Sequence, residues 1–285
     1  MLTRNFPGRA GNFSRVCVKV NDMAGLSKVL ESLKMQATKP GCGRCRDHEP
    51  IGFAFEFAYQ PIVDVTQRKV CGHEALVRGP AGESAHSVLS RVNEDNRYRF
   101  DQACRVKAIE TAAKLDLQGY LSINFMPNAV YEPAACIRTT LVAADMFGFP
   151  LERIMFEVTE GEVITERQHL IAILREYQRF GFRTAIDDFG AGYAGLTLLA
   201  DFQPDIVKID QALLRGIDHH PVKQKIVASL VELGKQLNVT ILAEGVETKP
   251  ERDFLQHLGI TLMQGYWFAK PAFQSAGTVH DDAWI

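Results

Sequence analysis

No stretch of the 285-residue sequence approaches the roughly 20 consecutive apolar residues that a bilayer span requires, so no membrane helix is expected. Charge of one sign is also missing. The 32 Lys and Arg are matched by 34 Asp and Glu, a net −2, which removes the usual reason to expect DNA, RNA or a membrane surface as partner. Any nucleotide ligand must therefore be held by local features. Met1 to Asn12 carries two arginines, a proline and two glycines with no apolar run behind them. A secretory signal is excluded by that anatomy, and cytoplasmic residence is the expectation. Disorder is excluded too, because 46% of residues are hydrophobic and only 23% charged. Cys17, Cys71, Cys104 and Cys136 sit in apolar contexts, where a reduced thiol packs as a small hydrophobe.

What is present divides into two parts. Residues 1–50 read as an N-terminal segment of their own: a short strand over Val16–Val20, an amphipathic helix through Leu26, Val29, Leu30 and Leu33, and a polar boundary from Thr38 to Pro50. That boundary holds Cys42-Gly43-Arg44-Cys45 with His48 close by. This is half of a zinc-site pattern without its second half, and it reads best as an exposed loop. Over residues 51–280 strands and helices alternate. The strands are expected at Phe55–Val63, Lys69–Val77, Tyr120–Asn124, Arg153–Val158, Arg183–Ile186, Ile206–Ile209, Val239–Ala243 and Leu262–Gln264. Arg97–Leu117 and Thr165–Phe180 are amphipathic, and a further helix starts near Pro221 with Ile226, Leu230, Leu233 and Leu237 as its apolar face. The first two strands are linked only by Asp64 to Arg68, which predicts an antiparallel hairpin. Alternating β and α implies a closed (β/α)8 barrel or an open doubly wound sheet. No Gly-x-Gly-x-x-Gly follows the first strand, so the barrel is favoured.

The polar residues then fall in a pattern. Glu74 lies in the second strand, Asn124 closes the third, Glu157 the fourth, and Asp187 and Asp188 the fifth. Lys208 and Asp210 close the sixth, Glu244 the seventh and Gln264 the eighth. A lone Asp after a strand is usually a turn residue or a helix cap. A whole set is different, because the C-terminal strand ends of a barrel converge on one face. Two carboxylates ~4 Å apart repel by about 4 kcal/mol at an effective dielectric of 20. Four or five of them at one rim call for cations. Without His or Cys at these ends, zinc is disfavoured and Mg2+ or Mn2+ is expected. Asp187 and Asp188 can serve one site only where the strand ends and the backbone turns, a turn assigned to Phe189-Gly190-Ala191-Gly192. The arrangement points to two-metal hydrolysis of a phosphate ester and leaves the substrate open.

The same residues resemble the EAL-domain family of cyclic-di-GMP phosphodiesterases over roughly Phe53 to Phe273. The resemblance lies in Tyr59-Gln60-Pro61-Ile62-Val63, Glu74-Ala75-Leu76-Val77-Arg78, Glu157-Val158-Thr159-Glu160 and Asp187-Asp188-Phe189-Gly190-Ala191-Gly192. It continues through Lys208-Ile209-Asp210, Ala243-Glu244-Gly245-Val246-Glu247 and Gln264-Gly265-Tyr266-Trp267-Phe268. It implies a modified (β/α)8 TIM-type barrel with an antiparallel first strand, hydrolysis of cyclic-di-GMP to linear pGpG, and a homodimer. It further implies metal ligands at Glu74, Asn124, Glu157, Asp187, Asp188 and Glu244, with Lys208 orienting the attacking water. Catalysis would fall to Lys208, Glu74 and Glu244. Arg78 and Gln60 would contact the substrate, Gln264 would support the site, Glu160 would brace the loop after Asp188, and Glu247 would give outer support. Ala191, Ala194-Gly195, Phe125-Met126 and Gly79 depart from the family's usual residues, but none removes a ligand. A cyclic-di-GMP receptor without turnover, or a protein-interaction module, would be expected only with an eroded ligand set.

Overall fold

Nine strands form one sheet that closes on itself in a computed structural model of the chain, which describes residues 51–159, 166–192 and 195–285. The expected N-terminal strand and helix, Cys42, Cys45, His48 and Glu160 lie outside the described residues. The strands are β1 (Glu56–Asp64), β2 (Lys69–Arg78), β3 (Tyr120–Asn124), β4 (Ile154–Thr159), β5 (Arg183–Phe189), β6 (Ile206–Ile209), β7 (Thr240–Ala243), β8 (Leu262–Met263) and β9 (Ala272–Phe273). From β2 to β8 each strand pairs in parallel with the next. β1 runs antiparallel to both β2 and β8 and so closes the barrel. β9 extends the sheet along the other half of β1, a strand too short to be seen in the sequence.

The reversal of β1 originates in its turn. Asp64 accepts hydrogen bonds on Oδ1 from the backbone N–H groups of Thr66 (2.9 Å) and Gln67 (2.8 Å), and Arg68 takes φ +51°. A side chain that mimics a backbone turn folds β2 straight back on β1. The expected hairpin is therefore present.

Helices α1 (Arg97–Lys114), α2 (Arg167–Arg179), α3 (Pro221–Leu237) and α4 (Lys249–His257) pack outside the strands. In α3 the expected apolar face is rotated. Val227, Val231 and Gly234 are buried, whereas Ile226 is 42% exposed. Contact with β7 explains the phase: a Cβ at Gly234 would lie 2.9 Å from the Ile241 side chain, so the helix approaches closest there. Leu230, Leu233 and Leu237 flank that contact and are partly buried.

Alternation along the strands layers the barrel interior. Ile62, Met155, Ala185, Ile206 and Leu242 form an apolar plug. Two residues further toward the C-terminal rim on the parallel strands stand Glu157, Asp187, Lys208 and Glu244, and on the reversed β1 stands Gln60. Side chains two apart share a face, so each strand that contributes to the plug also presents a polar group above it. The plug closes the floor, and the polar layer opens toward the rim.

Candidate active site

Lys208 stands at the middle of the polar layer and is fully buried. Its Nζ lies 2.7 Å from Glu244 Oε1, 3.0 Å from Glu157 Oε2, 3.0 Å from Asp187 Oδ1 and 3.7 Å from Glu74 Oε2. Four strands thus bring four carboxylates to one ammonium. Neutral donors hold the acids from outside. Asn124 Nδ2 donates to Glu157 Oε1 (2.7 Å) and Glu74 Oε1 (3.2 Å), and the Ser122 hydroxyl donates to Glu157 Oε2. Gln264 Nε2 donates to Glu74 Oε2 (2.7 Å) and Gln60 Oε1 (3.0 Å), while Gln60 Nε2 donates to the Ala269 carbonyl (3.1 Å). Gln264 Oε1 is buried without a hydrogen-bond partner.

The two adjacent aspartates reach this centre through an irregularity in β5. Ile186 pairs with Val207 and Phe189 with Ile209, so three steps on β5 match two on β6. Asp187 and Asp188 occupy the bulge. Asp188 adopts φ +52°, a left-handed conformation that costs a non-glycine residue about 1–2 kcal/mol. The expected turn is present, with Gly190 at φ +97° and the Ala191 N–H donating to the Asp188 carbonyl at 3.0 Å, and Asp188 itself adds a left-handed step just before it. Alternation alone would send one carboxylate outward, and the bulge re-aims it. The Asp188 N–H donates to Asp187 Oδ1 at 2.9 Å and fixes the pair.

Two groups of three carboxylates result. Glu74, Glu157 and Asp187 bring one oxygen each within 4.8 Å of one another, and so do Asp187, Asp188 and Glu244. Asp187 belongs to both. Burial pushes the carboxyls of Glu157 and Glu244 well above the usual range, although Lys208 pulls the other way. Burial also opposes ionisation of Asp187, but Lys208 and the surrounding donors overcome it and hold that group low. Asp188 is pushed up to about 6 by burial and by the neighbouring Asp187 and Asp210. For Lys208 burial disfavours the charge, yet the ring of acids holds the ammonium well above its ordinary value. The centre carries more negative charge than one ammonium can balance. All-oxygen donors of this kind fit a hard divalent cation such as Mg2+, Mn2+ or Ca2+.

The remaining candidates divide. Gln60, Glu74, Asp187, Asp188, Glu244 and Gln264 line a cavity of about 350 Å³. Glu247 stands at its edge, where it forms a two-pronged ion pair with Arg215. Arg78 does not line it; its Nη1 donates to the Val77 carbonyl at 2.8 Å. Four contributors had no role in the sequence reading, although Gly265 and Tyr266 stood in one of its motifs. Ser122 is a small polar residue between apolar neighbours, with no signal of its own. Gly265 permits a close backbone approach that only the structure reveals. Tyr266 lines the cavity with 55% of its surface exposed. Glu251 was legible as the end of a Thr-x-x-Glu capping box. It accepts from the backbone N–H groups of Gly216 (2.8 Å), Glu247 (3.0 Å) and Thr248 (3.0 Å) and so fixes the loop after Glu244.

Fold and site together define a TIM-type barrel domain with an acidic, cation-seeking centre at its C-terminal rim. Residues 52–271 match the EAL domain family, and the chain belongs to that family. It is 35% identical over 224 residues to the probable cyclic di-GMP phosphodiesterase PdeG of Escherichia coli, covering 75% of this chain and 44% of that protein. A standalone EAL protein from Vibrio cholerae, solved bound to c-di-GMP, is 54% identical with a TM-score of 0.80. That match covers 82% of this chain and 99% of the other. Klebsiella pneumoniae BlrP1, solved with manganese and cyclic di-GMP, is 38% identical with a TM-score of 0.73, covering 85% and 61%. The chain spans between about a quarter and a half of the first curated relatives it matches. Among the described residues no helix is long and apolar enough to cross a membrane.

Proposed function

We propose that the chain hydrolyses cyclic-di-GMP to linear 5'-pGpG with the help of two Mg2+ or Mn2+ ions. The observation that carries this is the pair of carboxylate triads sharing Asp187, set over the plugged floor of the barrel. Glu74, Asn124, Glu157 and Asp187 would hold one ion, and Asp187, Asp188 and Glu244 the other. Bound there, such ions supply Lewis acidity and lower the pKa of water. The protein's own groups supply order. Asn124, Ser122 and Gln264 fix the carboxylates, and Lys208, whose ammonium the acids keep charged, would orient the attacking water as a donor and leave its proton to a carboxylate. Gln60 and Gln264 face the cavity, where Gln264 Oε1 offers an acceptor to a ligand. Arg78 would contact the substrate through guanidinium N–H groups other than the one that meets the Val77 carbonyl.

Support for the substrate comes from the relatives, whose names and bound ligands are cyclic di-GMP. A receptor without turnover is not favoured, since every expected ligand in the described residues reaches the centre. The resemblance also supports a homodimer. Cytoplasmic residence suits the free thiols of Cys71, Cys104 and Cys136. We treat residues 1–50 as a segment separate from the barrel of residues 51–280.

The test is the purified full chain with cyclic-di-GMP, analysed for pGpG in Mg2+, Mn2+, Ca2+ and EDTA. Mg2+ or Mn2+ should support turnover. Ca2+ should support it poorly, because it takes longer bonds and more ligands. Full activity in EDTA would sink the metal-dependent reading, and binding without pGpG in any metal would leave a receptor.

A further inference from the structure

We infer that Lys208 is a placeholder cation: in the metal-free protein its ammonium fills the space between the carboxylates that a divalent ion takes on loading, and it withdraws when the ion arrives. This rests on the reading above that the centre takes divalent cations. Three observations carry it.

The first is position. Nζ touches Glu157 of one triad, Glu244 of the other, and the Asp187 they share, all within 3.0 Å. With Glu74 at 3.7 Å, Nζ faces every member of the Glu74, Glu157 and Asp187 group, so an ion held by that triad would compete for the same space. The second is burial. Nζ is shut off from solvent, and its ion-pair contacts are all to the four acids, so the carboxylates alone seat the ammonium.

The third is that three of the four acids have holders other than Lys208. Ser122 and Asn124 hold Glu157, Asn124 and Gln264 hold Glu74, and the Asp188 N–H holds Asp187. These donors are neutral and do not depend on the lysine's charge, so its withdrawal leaves Glu74, Glu157 and Asp187 held. Lys208 thus has two positions: between the acids in the empty protein, and beside the reacting water in the loaded one. Its charge protects the empty centre from self-repulsion and sets the metal concentration at which loading begins.

Lys208→Met separates these roles, since it keeps the length and removes the charge. By calorimetry on the full chain, Mn2+ should bind Lys208→Met tenfold or more tightly than wild type. The metal-free variant should melt several degrees lower, and saturating Mn2+ should raise its midpoint by more than it raises wild type. Equal or weaker Mn2+ affinity with an unchanged metal-free midpoint would overturn the placeholder. Wild type that binds no Mn2+ would instead overturn the divalent-centre reading. If the variant folds only when Mn2+ is present, that too supports the inference. A crystal structure of the wild-type protein with Mn2+ gives a readout free of any variant. Lys208 Nζ should have left at least one of Glu157, Asp187 and Glu244, and retention of all three contacts beside two bound ions would refute the idea.

Discussion

Gly265→Ala puts the close approach of the β7 and β8 ends to a quantitative test. A Cβ at residue 265 would stand 2.1 Å from the Val246 carbonyl oxygen and 2.3 Å from its nitrogen. Ordinary carbon–oxygen contacts lie near 3.3 Å, so the two segments must part by roughly 1 Å. They are stitched by the backbone bonds Val246 N–H to the Gln264 carbonyl (3.1 Å), Trp267 N–H to the Val246 carbonyl (3.0 Å) and Gln264 N–H to the Ala243 carbonyl (2.8 Å). Overpacking of this kind costs about 1–3 kcal/mol, which lowers the melting midpoint by roughly 2–4 °C per kcal/mol and leaves the chain folded. Function should suffer more. Gln264 sits on one segment and Glu244 on the other, and a 1 Å misplacement of reacting groups is worth about 10²-fold in rate. Turnover of cyclic-di-GMP in Mn2+ and a thermal melt measure the two effects. Gly259→Ala is the control: Gly259 has φ +91° with nothing within 4 Å of a Cβ, so alanine strains the backbone without moving the site. If Gly265→Ala turns over like wild type, or loses no more than Gly259→Ala, the reasoning fails.

Glu251→Ala leaves the N–H groups of Gly216, Glu247 and Thr248 without their acceptor and should destabilise the chain by about 3–5 kcal/mol in a denaturant titration; a loss under 1 kcal/mol would show that water replaces the carboxylate. Burial works against the Glu251 charge, but those N–H groups hold its carboxyl below the usual range. Its contribution is therefore complete above the unfolded value near 4.3 and disappears as pH falls through the lower folded value. A pH series of wild type against Glu251→Gln should show the gap closing below about pH 4. Removal of residues 1–50 should leave a cooperatively unfolding barrel, because the described strands already close the barrel on their own; a broad, non-cooperative melt would place the boundary elsewhere.

The barrel was readable from the sequence because its strands repeat one device. An apolar residue is followed two positions later by a polar one at the strand end, as in Ile206 and Lys208 or Leu242 and Glu244. Period two and strand termini are local properties, and local properties survive in a sequence. The hairpin of β1 and β2 was readable for the same reason, since the Asp64 turn is short. Long-range fits were not. The phase of α3 depends on Gly234 meeting Ile241 across the helix–sheet interface, and the pattern of leucines alone pointed a step away. Gly190 marked the turn after β5, but the left-handed step at Asp188 breaks the preference for glycine at positive φ and carried no signal. Ser122 gains its role only when β3 is laid against β4, in the register that sets it opposite Met155, two pairs before Asn124 meets Glu157.

The closure of the barrel by β1 has a kinetic consequence. Gln264 bonds Gln60 across 204 residues of chain and Glu74 across 190. Bringing ends so distant together costs on the order of 5 kcal/mol in loop entropy, whereas the β1–β2 hairpin closes over a handful of residues within microseconds. Until β8 docks on β1, Gln264 cannot grip Glu74, so the part of the polar layer that joins the two ends of the barrel depends on its closure.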